Sequence, residues 1–329
     1  MERQKVQPKA LSMNHCTDVE TELLAEPNQP LILRRFAFTI ILQAVFCCAA
    51  VAQQDSLDFQ LQDNLIRVPV VLNGHQVEAV LDSGTGSLGL DLAFARSLGL
   101  ESAKTTGMVP GGGAPVPMYP LVLNEIQFGP ERLRQVQGIA LDLGHLSSSA
   151  KFPVQVLLGQ PLFAGWTLRV DYPARLVTFL PRGQAAACSD PIPFILVGGV
   201  PVIAVKLQAT PSSELRTLHL VVDLGTRHYA AMLGGPFLET TDGKALQKMS
   251  ATKQLGTGTG GGVKGSEATL ARLQVGKLRV DGLKVALTGH VGAFKAGLVD
   301  GTLGVPLWAG GVVTFDYTRQ QVCFDLPAK

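Results

Sequence analysis

Charged residues are scarce in this sequence, and no stretch of it is strongly basic. Lys, Arg, Asp and Glu make up 16% of the 329 residues, and 28 basic against 26 acidic side chains leave a formal net charge of +2. Proteins that bind the phosphate backbone of a nucleic acid carry a concentrated basic patch. We therefore expect no nucleic acid among the partners of this chain.

Cysteine is scarce as well, with five residues that show no zinc-ligand spacing. The histidines show none either, so we expect no metal and no cofactor. Three of the cysteines lie before residue 53. The other two, Cys188 and Cys323, form a disulfide if the protein is exported, or remain as two unpaired buried thiols; the sequence leaves both possibilities open.

Glycine and proline, in contrast, are abundant. The 36 glycines and 20 prolines divide a chain that is 46% hydrophobic into short apolar runs. Such a composition favours many strands and tight turns over long helices. The sequence predicts a mostly β protein, long enough for one large domain or two modest ones.

The N-terminal region predicts export. Arg34 and Arg35 precede an apolar run over 36–52, which ends in Ala-Val-Ala before polar residues. We interpret residues 1–52 as a leader that includes a signal peptide at 35–52, cleaved near Ala52, and expect a periplasmic or secreted protein without a stable membrane span in the mature chain. The alternative is that residues 36–52 stay as a membrane anchor. The polar stretch before residue 31 fits no export signal and suggests a translation start downstream of Met1.

An internal repeat sets the predicted architecture. The segment LGQPLFAG at 158–165 returns as LGVPLWAG at 303–310, and the pairs Leu158 and Leu303, Asp171 and Asp316, and Phe179 and Phe324 are each 145 residues apart. The front of each unit also matches, because one apolar strand delivers Asp82 and another delivers Asp223. We predict an N-terminal lobe at 53–181, a linker at 182–192 and a C-terminal lobe at 193–329.

Each predicted lobe has a glycine-rich hairpin in its middle. The first contains Gly111 and Gly112, and the second contains Gly258 and Gly260. The second also matches G-x-G-x-x-G, but a polar segment precedes it and an alternating, strand-like segment follows, which excludes a dinucleotide site. We interpret both as mobile β-hairpins.

The two aspartates carry the predicted chemistry. In the segments DSGT at 82–85 and DLGT at 223–226, the glycines allow a close turn, and the hydroxyls can orient the carboxylate. The residues expected to support the pair are Ser83, Gly84, Thr85, Gly225 and Thr226. If the lobes pack face to face, the two acids meet and share one proton, so one can activate a water while the other protonates a carbonyl.

These motifs resemble the aspartic peptidases of the pepsin and retropepsin kind. The segment VLDSGTGS at 80–87 is similar to the signature of that family, residues 92–100 to a short helix that follows it in bacterial retropepsin-like members, and VLLG at 156–159 and GTLG at 301–304 to an apolar element beside the catalytic strand. The resemblance spans residues 60–326. It implies two β-barrel lobes, a cleft for an extended peptide, glycine-rich hairpins that cover the substrate, and Asp82 and Asp223 as the catalytic pair of a monomeric endopeptidase.

Two departures from the family pattern keep other functions open. Leu224 stands where the family has Ser or Thr, whose hydroxyl bonds across the lobe interface and stiffens the pair, so one half of that link is missing. This departure allows a peptide-binding protein without hydrolysis and with a degenerate second lobe. A first lobe that is active only as a homodimer is a further alternative. Neither hairpin has a clear counterpart of the flap tyrosine of pepsin; Tyr119 is either a substitute or a surface strand residue.

Overall fold

A computed structural model of the chain describes residues 56–100, 104–105, 107–180, 188–289 and 297–327. Residues 54–329 form one compact unit. The predicted leader, with its signal peptide, its cleavage near Ala52 and the alternative anchor at 36–52, lies outside the described residues, as does most of the predicted linker. In the described ranges, no helix has both the length and the apolar character needed to cross a membrane.

The described residues are mostly strand, as the composition predicted. Those before residue 181 form β1 (Ser56–Asp58), β2 (Gln60–Gln62), β3 (Leu65–Leu72), β4 (His75–Leu81), β5 (Leu88–Asp91), β6 (Gly107–Val109), β7 (Val116–Phe128), β8 (Glu131–Leu141), β9 (Val156–Leu158), β10 (Thr167–Asp171) and β11 (Leu176–Leu180). Those after residue 187 form β12 (Ile192–Val197), β13 (Val200–Gln208), β14 (Arg216–Asp223), β15 (Ala231–Leu233), β16 (Ala251–Gly258), β17 (Gly261–Val275), β18 (Leu278–Thr288), β19 (Gly301–Gly304), β20 (Val312–Asp316) and β21 (Gln321–Asp325).

Helices are short and few among these residues. They are α1 (Leu92–Ser97), α2 (Gly144–Ala150) and α3 (Thr241–Lys248). The helix expected after the first aspartate is α1, and Asp91 caps its N-terminus by accepting a hydrogen bond from the Phe94 N–H. Three 3₁₀ turns, at Gln160–Leu162, Gly235–Glu239 and Val305–Leu307, complete the regular structure of the described part of the chain.

Each half of the chain closes six strands into a barrel. In the first half the ring runs β3-β4-β9-β5-β8-β7 and closes when β7 pairs with β3. In the second half it runs β13-β14-β19-β15-β18-β17 and closes when β17 pairs with β13. The strands correspond one to one in chain order, so the predicted fold of two pseudo-symmetric barrel lobes is confirmed.

A further six strands join the two barrels. Their order is β1-β11-β10-β20-β21-β12, and β10 pairs antiparallel with β20, its own repeat, in the register Thr167 to Asp316 and Asp171 to Val312. The strands at 167–180 therefore extend from the first half into a sheet that both halves build. This sheet holds the repeats together through backbone hydrogen bonds as well as side chains.

Local chemistry explains the hairpin that delivers the first aspartate. In β3 buried and less buried side chains alternate over most of the strand, as expected of a strand with one face on the core. Asn73 and Gly74 both adopt positive φ, 47° and 85°, which is the two-residue turn that the sequence predicted. The returning strand β4 ends at Leu81, so Asp82 follows directly.

Aromatic side chains pack where the barrels meet the joining sheet. Trp308 is fully buried, and its indole N–H donates to the Tyr172 hydroxyl at 3.1 Å. Trp166 packs on the same core but is only half-buried, and its indole N–H donates to Glu131 Oε1 at 2.8 Å. The two tryptophans thus support the same core with different exposure.

A disulfide joins Cys188 to Cys323, which are 135 positions apart in the sequence. It ties the start of the second half to β21 in the joining sheet. Of the two possibilities that the sequence left open, the structure therefore has the bonded pair.

Removing this disulfide should destabilise the fold. We expect the double variant Cys188→Ala with Cys323→Ala to lose about 2–5 kcal/mol of unfolding free energy. The disulfide closes a long loop in the unfolded chain and so lowers the entropy of the unfolded state, and the variant lacks this restriction. Denaturant unfolding under non-reducing conditions measures the difference. A midpoint unchanged from the native protein would contradict the expectation, and adding reductant should lower the midpoint of the native protein alone.

Candidate functional site

The two predicted aspartates occupy equivalent strand ends. Asp82 follows β4, which runs parallel to β9, and its backbone N–H donates to Leu158 O at 3.0 Å. Asp223 is the last residue of β14, which runs parallel to β19 in the register Asp223 to Gly304. The apolar-apolar-Gly elements that the repeat singled out are therefore the strands beside the aspartates.

Glycine is required where these elements pass the aspartate loops. A Cβ atom at Gly159 would overlap the carbonyl oxygen of Ser87, and one at Gly304 would overlap the carbonyl oxygen of Tyr229. The bare backbone lets each loop bond to the neighbouring element, because Gln160 N–H donates to Thr85 O at 3.1 Å and Val305 N–H to Thr226 O at 2.8 Å. The two loops are thus fixed in the same way in both barrels.

The structure brings the Asp82 and Asp223 side chains into contact. The two carboxyl groups lie close enough for the charge of Asp223 to raise the pKa of Asp82. Each also faces the glycine of the opposite loop, since a Cβ at Gly84 would overlap the Asp223 carboxyl group and a Cβ at Gly225 would lie 3.0 Å from the Asp82 carboxyl atoms. The predicted support glycines therefore make room for the partner acid.

Hydrogen bonds hold the two carboxyl groups unequally. Asp82 Oδ1 accepts the Gly84 N–H at 2.9 Å. Asp223 Oδ1 accepts the Gly225 N–H at 2.7 Å, and its Oδ2 accepts the Thr226 hydroxyl at 2.6 Å. The bonds that Thr85 and Gly84 give to Asp82 come from the backbone. The expected role of Thr226 as a hydroxyl support is therefore seen in the geometry.

The environment raises the pKa of both acids. Burial raises the pKa of Asp82 well above its ordinary value, and the charge of Asp223 raises it further. Burial also raises the pKa of Asp223, but the Thr226 hydroxyl and the Gly225 N–H oppose the shift because they stabilise the carboxylate. The hydrogen bonds that Asp223 accepts from Gly225 and Thr226 therefore favour the charge on Asp223 and the shared proton on Asp82.

Ser83 makes the link across the lobe interface that the resemblance implied for a hydroxyl at this position, and not the bond to its own aspartate that the motif suggested. Its hydroxyl does not support the Asp82 carboxylate; it donates to Val222 O at 2.8 Å and accepts the Leu224 N–H at 2.9 Å. Ser83 therefore links the first barrel to the second. Leu224, the equivalent residue, is fully buried among apolar side chains, so one of the two possible hydroxyl links is replaced by packing.

Further contacts between the barrels flank the aspartates on both sides. Arg227, four residues after Asp223 and almost fully buried, forms an ion pair with Asp63 and donates to Ser149 Oγ, while its carbonyl accepts from Asn64 Nδ2 at 2.8 Å. The equivalent of Arg227 in the first barrel is Gly86, where a Cβ atom would overlap Gly198 O. One side is closed by a charged cluster and the other by bare backbone.

The two glycine-rich hairpins meet at their tips. The Ala114 N–H, between β6 and β7, donates to Gly260 O, between β16 and β17, at 2.9 Å. Gly112 also lies against Gly258, because a Cβ at Gly112 would be 3.1 Å from the Gly258 Cα. Tyr119 lies outside this contact, half-buried in β7 opposite Ala140. The predicted covering hairpins thus meet through glycine backbone at their tips.

Two buried phenols lie below the aspartates. The pKa of Tyr172 is raised by burial and by the Asp223 charge, and that of Tyr317 by burial and by the Asp82 charge. Both therefore stay neutral at ordinary pH. Asp171 and Asp316, which precede them, bond to turns of their own, and Asp316 pairs with Arg319. In the described ranges, no cluster of three or more His, Cys, Asp or Glu side chains could hold a metal ion.

Several of these contacts could not be predicted from short motifs. The sequence analysis did not identify Arg227, Asp63 or Thr302 as site residues. The hydroxyl of Thr302 lies 3.1 Å from that of Thr226. For Thr302 a signal existed, because the repeat aligns it with Leu157 in an otherwise apolar element. For Asp63, at a positive φ of 51° in the turn between β2 and β3, the sequence offered nothing beyond turn chemistry.

Comparisons with known proteins agree with the motif in the first barrel. Residues 68–162 match the family model described as aspartyl protease, which confirms the predicted resemblance to aspartic peptidases. No curated protein matches the chain. Among solved structures, a retropepsin-like aspartic protease from Rickettsia conorii is 18% identical, with a TM-score of 0.29, and the match covers 38% of this chain and 87% of that one.

Removing one of the paired acids should stabilise the fold at neutral pH. Because the folded pKa of Asp82 is raised, the unfolded chain releases a proton above about pH 3.9 that the folded chain keeps. The unfolding free energy of the native protein therefore falls as pH rises through this window, by up to about 1.4 kcal/mol per unit, and levels off above the folded pKa. Asp82→Asn lacks this loss.

Denaturant midpoints from pH 3 to pH 8 measure the effect. The advantage of Asp82→Asn over the native protein should grow with pH, whereas Asp281→Asn is the control. The pKa of Asp281 is lowered to about 2 by hydrogen bonds from Arg279 and Arg272, so its replacement should not produce a growing advantage. Parallel curves for Asp82→Asn and the native protein would show that the acids are not held as described.

A methyl group at Gly84 should separate the acids. We expect Gly84→Ala to lose about 1–3 kcal/mol of stability, because the new Cβ overlaps the Asp223 carboxyl group in a packed contact. Gly310→Ala, where a Cβ would meet no atom within 4 Å, is the matched control and should be tolerated. Thermal unfolding of both variants tests this, and equal melting temperatures would count against the contact.

Proposed function

We propose that this protein is an aspartic endopeptidase that hydrolyses peptide bonds with a water molecule activated between Asp82 and Asp223. The observation that carries the proposal is the contact of two carboxyl groups from equivalent strand ends of two barrels, in surroundings that favour one shared proton. The aspartyl protease match over residues 68–162, which include Asp82, supports the same reaction. The proposal treats one chain as the functional unit, because Asp223 already lies opposite Asp82.

The unequal support of the two acids assigns their roles. Asp223 is charged and accepts hydrogen bonds from Thr226 and Gly225. It accepts a proton from the water while the water oxygen forms a bond to the amide carbon. Asp82 gives its proton to the carbonyl oxygen, so a neutral tetrahedral intermediate forms. Asp223 then returns its proton to the amide nitrogen, the carbon–nitrogen bond breaks, and a hydroxyl of the intermediate gives a proton back to Asp82.

The substrate we propose is an extended peptide or protein segment. The hairpins β6–β7 and β16–β17 meet at glycines, so an occupant beneath them would face backbone N–H and C=O groups rather than bulky side chains. Such groups bind an extended chain through main-chain hydrogen bonds. Because the tips are in contact, we expect them to separate when a substrate enters and to close over it afterwards.

A second candidate is a protein that binds peptides without hydrolysis. Leu224 favours it, because the hydroxyl link that Ser83 makes from the first barrel has no equivalent from the second. Two contacts weigh against a degenerate second lobe: Gly225 and Thr226 both bond the Asp223 carboxylate at 2.7 Å or less. A homodimer of first lobes is less well supported, since the second barrel of the same chain provides the opposing acid.

We also propose that the protein works outside the cytoplasm, in the periplasm or the medium, after cleavage near Ala52. The disulfide between Cys188 and Cys323 supports this location, because such bonds persist in oxidising compartments. Anchoring by residues 36–52 is the alternative. The N-terminal sequence of the protein recovered from cells distinguishes the two.

Replacing either acid should abolish hydrolysis. We expect Asp82→Asn and Asp223→Asn each to lower kcat/KM on an unfolded protein substrate by about 10²–10⁴-fold, the contribution typical of general acid–base groups. Asp171→Asn is the control, because Asp171 repeats in the sequence but bonds its own turn and Arg169.

The pattern of results separates the candidates. Loss in both variants, with Asp171→Asn unaffected, supports the shared pair. Loss in Asp82→Asn alone supports a homodimer of first lobes. No hydrolysis by the native protein between pH 3 and pH 8, together with saturable binding of the same substrate, supports the peptide-binding protein.

A further inference from the structure

The second barrel holds its aspartate through a pair of hydroxyl groups. Thr226 Oγ1 lies 2.6 Å from Asp223 Oδ2 and 3.1 Å from the hydroxyl oxygen of Thr302. A hydroxyl has one proton to donate, and Thr226 gives its proton to the carboxylate. Thr302 must therefore donate to Thr226, and the order of donation runs from Thr302 through Thr226 to Asp223.

The first barrel has no such pair at the same place. The repeat of 145 residues aligns Thr302 with Leu157, and both lie in the strand parallel to the one that carries the aspartate. Leu157 is buried in an apolar cluster with Val80. Since the first barrel forms with leucine here, the barrel fold does not need a hydroxyl at this position, and the threonine calls for another explanation.

We propose that Thr302 is a positioning residue for the reaction proposed above, which orients the Thr226 hydroxyl toward Asp223 and so fixes Asp223 as the charged member of the pair. Hydrogen bonds in a chain strengthen one another, and a carboxylate is favoured by each donor that it accepts. The second barrel thereby gains a polar hold on its acid in place of the hydroxyl that Leu224 lacks. The inference rests on the proposed hydrolysis.

Few other ionisable groups face this pair. Asp82 opposes Asp223 from the first barrel, and Tyr172 and Tyr317 approach from the joining sheet with pKa values raised by burial. Arg227 lies close in sequence but pairs with Asp63, beside which His228 Nδ1 lies at 4.0 Å. The tyrosines stay neutral and Arg227 stays charged between pH 3 and pH 8. A change at Thr302 should therefore alter the pKa values of the two acids and not the charge of these neighbours.

Thr302→Val tests the proposal, because it keeps the side-chain shape and removes the hydroxyl. A hydrogen bond of about 0.5–1.5 kcal/mol corresponds to about 0.4–1 pH unit. We expect the acid limb of the kcat/KM profile to move up by about this amount, which lowers kcat/KM about 3–10-fold at pH values below the limb and changes it little at the optimum. Thr302→Ser should restore the native profile.

Thr288→Val is the matched control. Thr288 is fully buried, and its hydroxyl has no hydrogen-bond partner among the described residues, so this variant makes the same substitution without breaking a bond to the acids. Its profile should follow that of the native protein. A profile of Thr302→Val that coincides with the native one would overturn the proposal, as would a uniform loss of kcat at every pH, which indicates a structural role.

A titration that does not depend on hydrolysis separates this inference from the proposed function. With aspartate labelled with ¹³C at the side-chain carboxyl carbon, the signals of Asp82 and Asp223 are assigned by their absence from the Asp82→Asn and Asp223→Asn proteins. Thr302→Val should raise the lower apparent pKa of the pair by about 0.4–1 unit. An unchanged titration rejects the role of Thr302 even if the native protein hydrolyses peptides, and a shifted one supports it even if no hydrolysis is found. If Thr302→Val does not fold, Thr302→Ala takes its place in both measurements.

Discussion

The contact between two carboxyl groups is the constraint on which the rest of this structure depends. Two acids pressed together in protein surroundings cannot both carry a charge cheaply, and any side chain between them would hold them apart. No side chain separates the two acids here, because Gly84 and Gly225 each face the opposite carboxyl group. Only one acid is charged, because hydrogen-bond donors stabilise the carboxylate of Asp223 while Asp82 keeps the proton.

Holding two barrels in this relation takes several kinds of contact at once. The joining sheet pairs β10 with its own repeat β20, Ser83 bonds the backbone on both sides of Asp223, and the disulfide fixes the start of the second half to β21. Each acts on a different part of the interface. The position of the acids is therefore set by the whole junction rather than by the loops that carry them.

The two halves have the same fold but have not kept the same chemistry. Where the first barrel has Ser83, Gly86 and Leu157, the second has Leu224, Arg227 and Thr302. The hydroxyl link of Ser83 corresponds to apolar packing of Leu224, and the backbone contact at Gly86 corresponds to the ion pair of Arg227. The apolar side chain of Leu157 corresponds to the hydroxyl of Thr302. Since the pair needs one protonated and one charged acid, an uneven distribution of donors suits it better than strict symmetry would.

Much of the fold could be predicted because its signals are local or repeated. Strand alternation, the Asn73-Gly74 turn and the spacing of 145 residues each depend on short segments, and together they indicated two equivalent β lobes. The resemblance of the segment 80–87 likewise identified Asp82. For Ser83, the bond to its own aspartate that the short motif suggested was wrong, whereas the link across the lobe interface that the resemblance implied at this position is the one that Ser83 makes.

The sequence alone thus determined the strands, the repeat and the two acids at matching strand ends, since these follow from the order of neighbouring residues. The tertiary structure decided which groups touch: the bond from Thr302 to Thr226, the ion pair of Arg227 with Asp63 from the other barrel, and the meeting of hairpin tips that lie about 150 residues apart in the chain. Those contacts depend on how the barrels close and pack on each other. A pairing between distant segments is a property of that packing, and no local pattern of side chains encodes it.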